Sequence, residues 1–210
     1  MKVCRRSLAH SSASAAFRLF NLQINAGIVL DADNRGLGSA NCAIRRFAAA
    51  HHYELVFRMD DDIAYWSPGY GRNTESRERT PALLMSAIEA AVSKMTSDRA
   101  LRAVGFNYKQ FIHVDSTPEW SMGQRLQTTY ICRTDSFCVR EDVGTFDDFY
   151  LTISIWMNGG LTARYNRAGF DLAGGVGKTA GGLQGFDRAA MAIREIDLMK
   201  QICPVLRVKP

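Results

Sequence analysis

Apolar positions along the chain fall into short runs that alternate with longer amphipathic stretches, which predicts an α/β fold. Gly27–Leu30 reads as a short strand ending at Asp31, and Asn34–Gly38 as a turn. Ser39 can cap a helix through SANCAIRRFAAAHH, where Ala40, Ala43, Ile44, Phe47 and Ala48 share one face. Leu55–Met59, LVFRM, is a strand that runs straight into three aspartates. Strand, turn, helix and strand together predict a βαβ unit with parallel pairing. Residues 66–80 are polar and contain Gly and Pro, as a surface loop would. Pro81 then opens a helix, PALLMSAIEAAVSKMTSD, with Leu84, Ile88, Ala91, Val92 and Met95 as its apolar stripe. ALRAVGFNY and TTYICRT read as strands, Phe146–Asn158 as a helix closed by Gly159–Gly160, and Phe186–Gln201 as a last helix before Pro204. RYNRAGFDL is too polar to be read as a buried strand.

Composition narrows the class. The chain has 210 residues, 47% of them hydrophobic and 22% charged, enough for one domain with a substantial core. The first sixteen residues are rich in Arg, Ser and Ala, lack acids, and have no apolar stretch of the secretory kind. They are expected to be an irregular or disordered segment ahead of a single domain over 17–210. The longest apolar run, near Leu151–Met157, is too short to span a membrane. Five scattered cysteines without a CxxC pair point to free thiols in a reducing compartment, hence to the cytoplasm. A net charge of +5 permits a polyanionic partner without requiring one.

The chemistry concentrates in acidic clusters. Asp60, Asp61 and Asp62 repel one another unless they are solvated or neutralised, and a divalent cation is an efficient neutraliser. Side chains alternate along an extended chain, so Asp60 and Asp62 point the same way. Such a D-x-D pair suits Mn²⁺ or Mg²⁺ with positions left open for phosphate oxygens, and the tip of a strand is where α/β folds bind ligands. The bland alternative is a solvated acidic turn. AGGVGKTAGG, residues 173–182, has the glycines and Lys of a phosphate-binding loop. It departs from an ATPase P-loop because Leu172 stands where the first Gly is needed and too few residues follow for the rest of that fold.

The order of these motifs carries a resemblance. Asn34, Gly36, Ala40 and Asn41, followed by a helix, an apolar strand and then DDD, resemble the nucleotide-sugar-binding half of GT-A-fold glycosyltransferases. GTFDDFYLTISIWMNGG is similar to the acidic motif of those enzymes, and the Gly-Gly loop, helix and basic tail resemble the close of the TET-associated glycosyltransferases. That is a phage and metagenomic group inferred to add sugars to hydroxymethylated pyrimidines in DNA, including hydroxymethylcytosine. The likeness spans roughly residues 28–210 and implies a GT-A-like, mixed and mainly parallel sheet flanked by helices. The stretch before Asn34 is short for that fold, so its first β-α unit is expected to be absent or abbreviated.

The resemblance also implies roles. Asp60 and Asp62 would hold Mn²⁺ or Mg²⁺ against the diphosphate of a nucleotide-sugar donor, a UDP-sugar by preference. Asn34, Gly36 and Asn41 would line the donor site. Asp147 or Asp148 would deprotonate the acceptor hydroxyl in an inverting transfer, with Asp148 favoured; two acids capping a helix is the plain alternative. Lys178 and Arg188 would meet the charge growing on the leaving diphosphate, with Gly181 and Gly182 letting a lid close over it. The acceptor implied is DNA carrying a hydroxymethylpyrimidine, in the cytoplasm of a bacterium or phage-infected host. Two rivals use the same residues: a carboxylate-based hydrolase, and a degenerate GT-A-like module that binds nucleic acid or a partner without catalysis. His51 and His52 read as surface histidines, His113 as a core or edge histidine or else a group completing a metal or acceptor site, and the aromatics Tyr65, Trp66, Tyr70 and Trp120 as either base-stacking or packing groups.

Overall fold

The computed structural model describes residues 2–4, 37–60, 63–68, 81–113, 115–172 and 188–207. Its strands are β1 (Lys2–Cys4), β2 (Leu55–Arg58), β3 (Ile63–Ser67), β4 (Leu101–Tyr108), β5 (Trp120–Met122), β6 (Tyr130–Arg133) and β7 (Leu161–Leu172). Its helices are α1 (Leu37–Ala50), α2 (Pro81–Ser97), α3 (Asp147–Met157) and α4 (Arg188–Ile202). One sheet runs in the order β1-β2-β6-β4-β7-β3, with β5 added on β7. This is the α/β class expected, a mixed sheet flanked by helices and compatible with a GT-A-like architecture. No helix among the described residues is long and apolar enough to cross a membrane.

The sheet divides the core in two because successive side chains of a strand point to opposite faces. On one face, Val104, Phe106, Ile131, Trp66 and Phe170 pack under Ala87, Ile88, Ala91 and Met95 of α2. On the other, Val56, Ala103, Tyr130 and Cys132 pack under Ile44 and Ala48 of α1 and Leu151 and Ile155 of α3. A third cluster, Val143, Tyr150, Ile153 and Met199, ties α4 to the outer side of α3.

Several sequence expectations are corrected. The pairing is not mainly parallel among the described strands: β4 and β7 run parallel, and the other pairings are antiparallel. Residues 27–30, the predicted first strand of the βαβ unit, lie outside the described residues. Lys2–Cys4, inside the segment expected to be irregular, pairs with β2. The stretch judged too polar for a strand belongs to β7, the longest strand of the sheet. Its polar groups find partners: buried Asn166 donates from Nδ2 to the Pro118 carbonyl and the Ser121 hydroxyl, both at 2.9 Å, and Arg167 donates to the Thr117 carbonyl. A strand therefore does precede the glycine-rich loop, though Leu172 still breaks the P-loop pattern. β3 and β5 were not foreseen either.

Helix α1 starts two residues before Ser39, so that residue lies inside the first turn, buried. Gly38 sets how closely this first turn sits on its neighbour. A Cβ there would meet the carbonyl oxygens of Arg140, Glu141 and Val143 within 2.6 Å, so only a bare backbone fits between α1 and the 140–143 segment. At the end of α3, Gly159 has φ +72°, and Gly160 N–H bonds to the Ile155 carbonyl at 2.9 Å, the glycine cap that the sequence predicts. Trp66 is buried edge-on to Phe106, and Trp120 packs on Tyr165, so both serve packing. His51 stacks on Phe47 at an exposed position, and His113 is exposed as well.

Candidate active site

One strand residue organises the acidic groups. Arg58, the last residue of β2, is 5% exposed and faces the α1/α3 side of the sheet. Its Nη1 donates to the Thr128 carbonyl at 2.9 Å. Its Nη2 lies 3.0 Å from Asp60 Oδ1 and 3.5 Å from Asp147 Oδ2, so one guanidinium joins the strand-tip aspartate to the helix-start aspartate. Burial alone would make Arg58 easier to deprotonate, but Tyr130, Asp147, Asp60 and Asp148 around it hold its pKa above the ordinary value. A buried charge of this kind persists only when it is paired.

The partners arrive from separate elements. Asn41, in the first turns of α1, donates from Nδ2 to Asp147 Oδ2 at 3.0 Å, and this depends on the close seat of Gly38. Its Oδ1 is buried without a partner among the described residues. Asp147 and Asp148 open α3, where the positive end of the helix favours carboxylates. Asp147 is 7% exposed and held by Arg58 and Asn41. Asp148 differs although it is the next residue. Burial and the neighbouring Asp147 push its pKa up to about 6, against the opposing pull of Arg125, the Phe149 N–H and Arg58. A carboxylate with that pKa is ionised at neutral pH and basic enough to take a proton.

The ground under these two acids is set by a residue far along the chain. Glu195 of α4 is 1% exposed, and its carboxylate receives the backbone N–H groups of Gly144, Thr145 and Phe146 at 2.6–3.0 Å. Those three amides belong to the segment entering α3, so Glu195 fixes where the helix begins. On the other side, Thr152 Oγ1 accepts the Leu126 N–H at 3.0 Å, fastening α3 to the 126–129 segment. Arg125 stacks 3.9 Å over the Phe149 ring, beside Asp148.

Of the residues singled out by sequence, Asp60, Asp147, Asp148 and Asn41 converge around Arg58. Asn34, Gly36, Asp62, Lys178, Gly181 and Gly182 lie outside the described residues. Arg188 opens α4, and nothing is described of its side chain. Arg58 and Glu195 were missed. Each had a signal: an Arg at an inward strand position, and an acid at the i+4 step of the apolar stripe Met191, Glu195, Met199. A hard cation that keeps waters and phosphate oxygens takes only one or two protein carboxylates, and Asp60, 28% exposed at the strand tip, is a donor of that kind. Among the described residues no three His, Cys, Asp or Glu side chains form a larger metal cluster.

In a mixed sheet flanked by helices, a strand-tip aspartate and an acidic helix start meet on one buried arginine. The family model for TET-Associated Glycosyltransferase matches residues 25–179, well over half of the chain, and the chain belongs to that family of glycosyltransferases. The match covers the acidic triplet, α3 and the start of the glycine-rich loop, and ends before α4, so Glu195 lies beyond it. No curated protein and no solved structure matches.

Proposed function

We propose that the protein transfers a sugar from a nucleotide-sugar donor, a UDP-sugar by preference, to a hydroxyl of a hydroxymethylpyrimidine in DNA. The observation that carries the reading is the division of labour between the two adjacent carboxylates: Asp147 is committed to Arg58 and Asn41, and Asp148 is left as a base of pKa about 6. Asp148 takes the proton of the acceptor hydroxyl. That oxygen forms a bond to the anomeric carbon as the bond from the carbon to the donor's diphosphate breaks, and the nucleoside diphosphate departs with the electron pair. Configuration at the carbon inverts.

Asp60, with Asp62, is the pair we assign to Mn²⁺ or Mg²⁺, which would offset the charge growing on the diphosphate. Arg58 holds Asp60 and Asp147 in register through its ion pairs at 3.0 and 3.5 Å. Lys178 and Arg188 stay assigned to the leaving diphosphate, Gly181 and Gly182 to the lid that closes on it, and Asn34, Gly36 and Asn41 to the edge of the donor site. For Asn41 the contact with Asp147 adds a second task, orienting the acid next to the base.

The test is mass spectrometry of hydroxymethylated DNA incubated with the protein, Mn²⁺ and a panel of nucleotide sugars. A gain of one sugar unit, absent for Asp148→Asn and lost on chelation, is the expected result. Metal-independent hydrolysis of the donor or of a glycoside, with no product on DNA, would replace the reading with a hydrolase.

A further inference from the structure

Four residues form one row across the sheet: Arg58 pairs with Tyr130, Tyr130 with Gly105, and Gly105 with Arg164. Residues directly opposite each other in a sheet point to the same face. Arg164 therefore stands on the face that carries Asp147 and Asp148, three strand spacings from Arg58, roughly 14 Å. Gly105, between them, leaves room for the neighbouring segment. A Cβ there would lie 3.3 Å from Leu126 Cδ2, and the space lets residues 125–127 run across the sheet beside the row.

The two ends of the row differ in charge. Arg58 is engaged by Asp60 and Asp147. Arg164 donates Nη2 to the Arg125 carbonyl at 3.0 Å, and its buried Nε has no partner among the described residues. Burial and the nearby Arg125 guanidinium both lower its pKa, and no described carboxylate opposes them. Arg125 lies over Phe149, 3.9 Å from its ring centre and next to Asp148. Two guanidinium groups gathered at a half-buried place repel each other, and an anion between them would relieve the repulsion. The guanidinium fork matches phosphate geometry.

We infer that Arg125 and Arg164 form a phosphate site that holds a backbone phosphodiester of the acceptor strand beside Asp148. The inference rests on the transferase reading above and names the part of the acceptor that this end of the site grips. The donor's diphosphate belongs with Asp60 at the Arg58 end. The base must face the acceptor, and Arg125, with Arg164 bonded to its carbonyl, lies against Phe149, the residue that follows that base.

Fluorescence anisotropy of the full chain on a labelled single-stranded oligonucleotide containing hydroxymethylcytosine, over a salt series, tests this. Binding of UDP in the presence of Mn²⁺, measured by calorimetry, is the second arm. Arg164→Gln and Arg125→Gln are each expected to weaken oligonucleotide binding about fivefold to tenfold and to flatten the salt slope by about one. Both are expected to leave UDP binding as it is, and Arg164→Lys to keep the slope. Should Arg164→Gln fail to fold, Arg125→Gln, on a connecting segment, carries the measurement. Unchanged slopes in the folded variants, or a loss of UDP affinity in place of oligonucleotide affinity, would overturn the site. A wild-type protein that transfers no sugar, yet whose variants still lose one unit of slope, would remove the transferase reading and leave the phosphate site standing.

Discussion

The two faces of the sheet are built from alternate residues of the same strands, and they do different work. Under α2, the strands contribute Val104, Phe106, Ile131 and Phe170, with rings meeting edge-on and tilted: Trp66 on Phe106 at 5.2 Å and on Phe170 at 5.8 Å. Under α1 and α3 one row across the strands is apolar, with Val56, Cys132 and Ala103, and the row two residues away carries Arg58, Tyr130, Gly105 and Arg164. A face with only dispersion and hydrophobic contacts stabilises wherever it is well packed. A face with buried charges is stable only while each charge keeps its partner, and this requirement gives its acids unlike properties.

Substitutions can break that contrast, beginning with the largest effect. Asp148→Asn removes the base of the α3 face and is expected to lower sugar transfer by about 10²–10⁴-fold, in the range of lost general-base catalysis. Its melting temperature should be equal to or above the wild type, because a carboxylate with a raised pKa is one the fold disfavours as an anion; a lower melting temperature with activity retained would reverse the assignment. Asp147→Ala should do the opposite in stability, costing about 3–5 kcal/mol by denaturant unfolding, since it leaves Arg58 buried and short of a partner. Phe106→Ala on the α2 face should cost a similar about 3–5 kcal/mol through lost burial and the cavity left behind. These two equal losses should part in their dependence on salt, which would move the first and hardly touch the second.

Glu195→Gln is the next in size. It weakens a carboxylate that receives three backbone amides, and is expected to cost about 1.5–3 kcal/mol in stability. Because those amides precede Asp147 and Asp148, kcat should fall with KM for the donor nearly unchanged. The smallest effect is in pH. Asp148 has a folded pKa of about 6, above the usual carboxylate value, so its contribution to stability is fully present below the unfolded value and is lost as pH rises through about 6. The unfolding free energy of wild type minus that of Asp148→Asn should therefore decline over that window. In the same window kcat/KM should climb with unit slope as the carboxylate ionises.

Much of the fold could be read from the chain. Helices α2, α3 and α4 and strands β2, β4 and β6 fall within about two residues of their predicted bounds, since each carries its own period, cap or glycine stop. The polar stretch of β7 could not be read in that way. Asn166 and Arg167 are polar in sequence and become compatible with a central strand only because Pro118, Ser121 and Thr117 supply acceptors from another segment. β3 was hidden for a related reason: Trp66 looks like a loop aromatic until Phe106 and Phe170 are brought under it. In the site, the acidic residues were visible because like charges in a row are uncommon without a function. The groups that manage those charges, Arg58 and Glu195, were not, because each is one ionic residue in an otherwise ordinary element.

By itself the sequence determined which elements form and which carboxylates stand at their ends, because periodicity, capping and charge are local properties of the chain. Only the tertiary structure decided which of two neighbouring aspartates is tied to Arg58 and Asn41 and which has a raised pKa. That outcome depends on Asn41, Arg58, Arg125 and Glu195 reaching α3 from distant parts of the chain, and on a burial that no stretch of residues possesses alone.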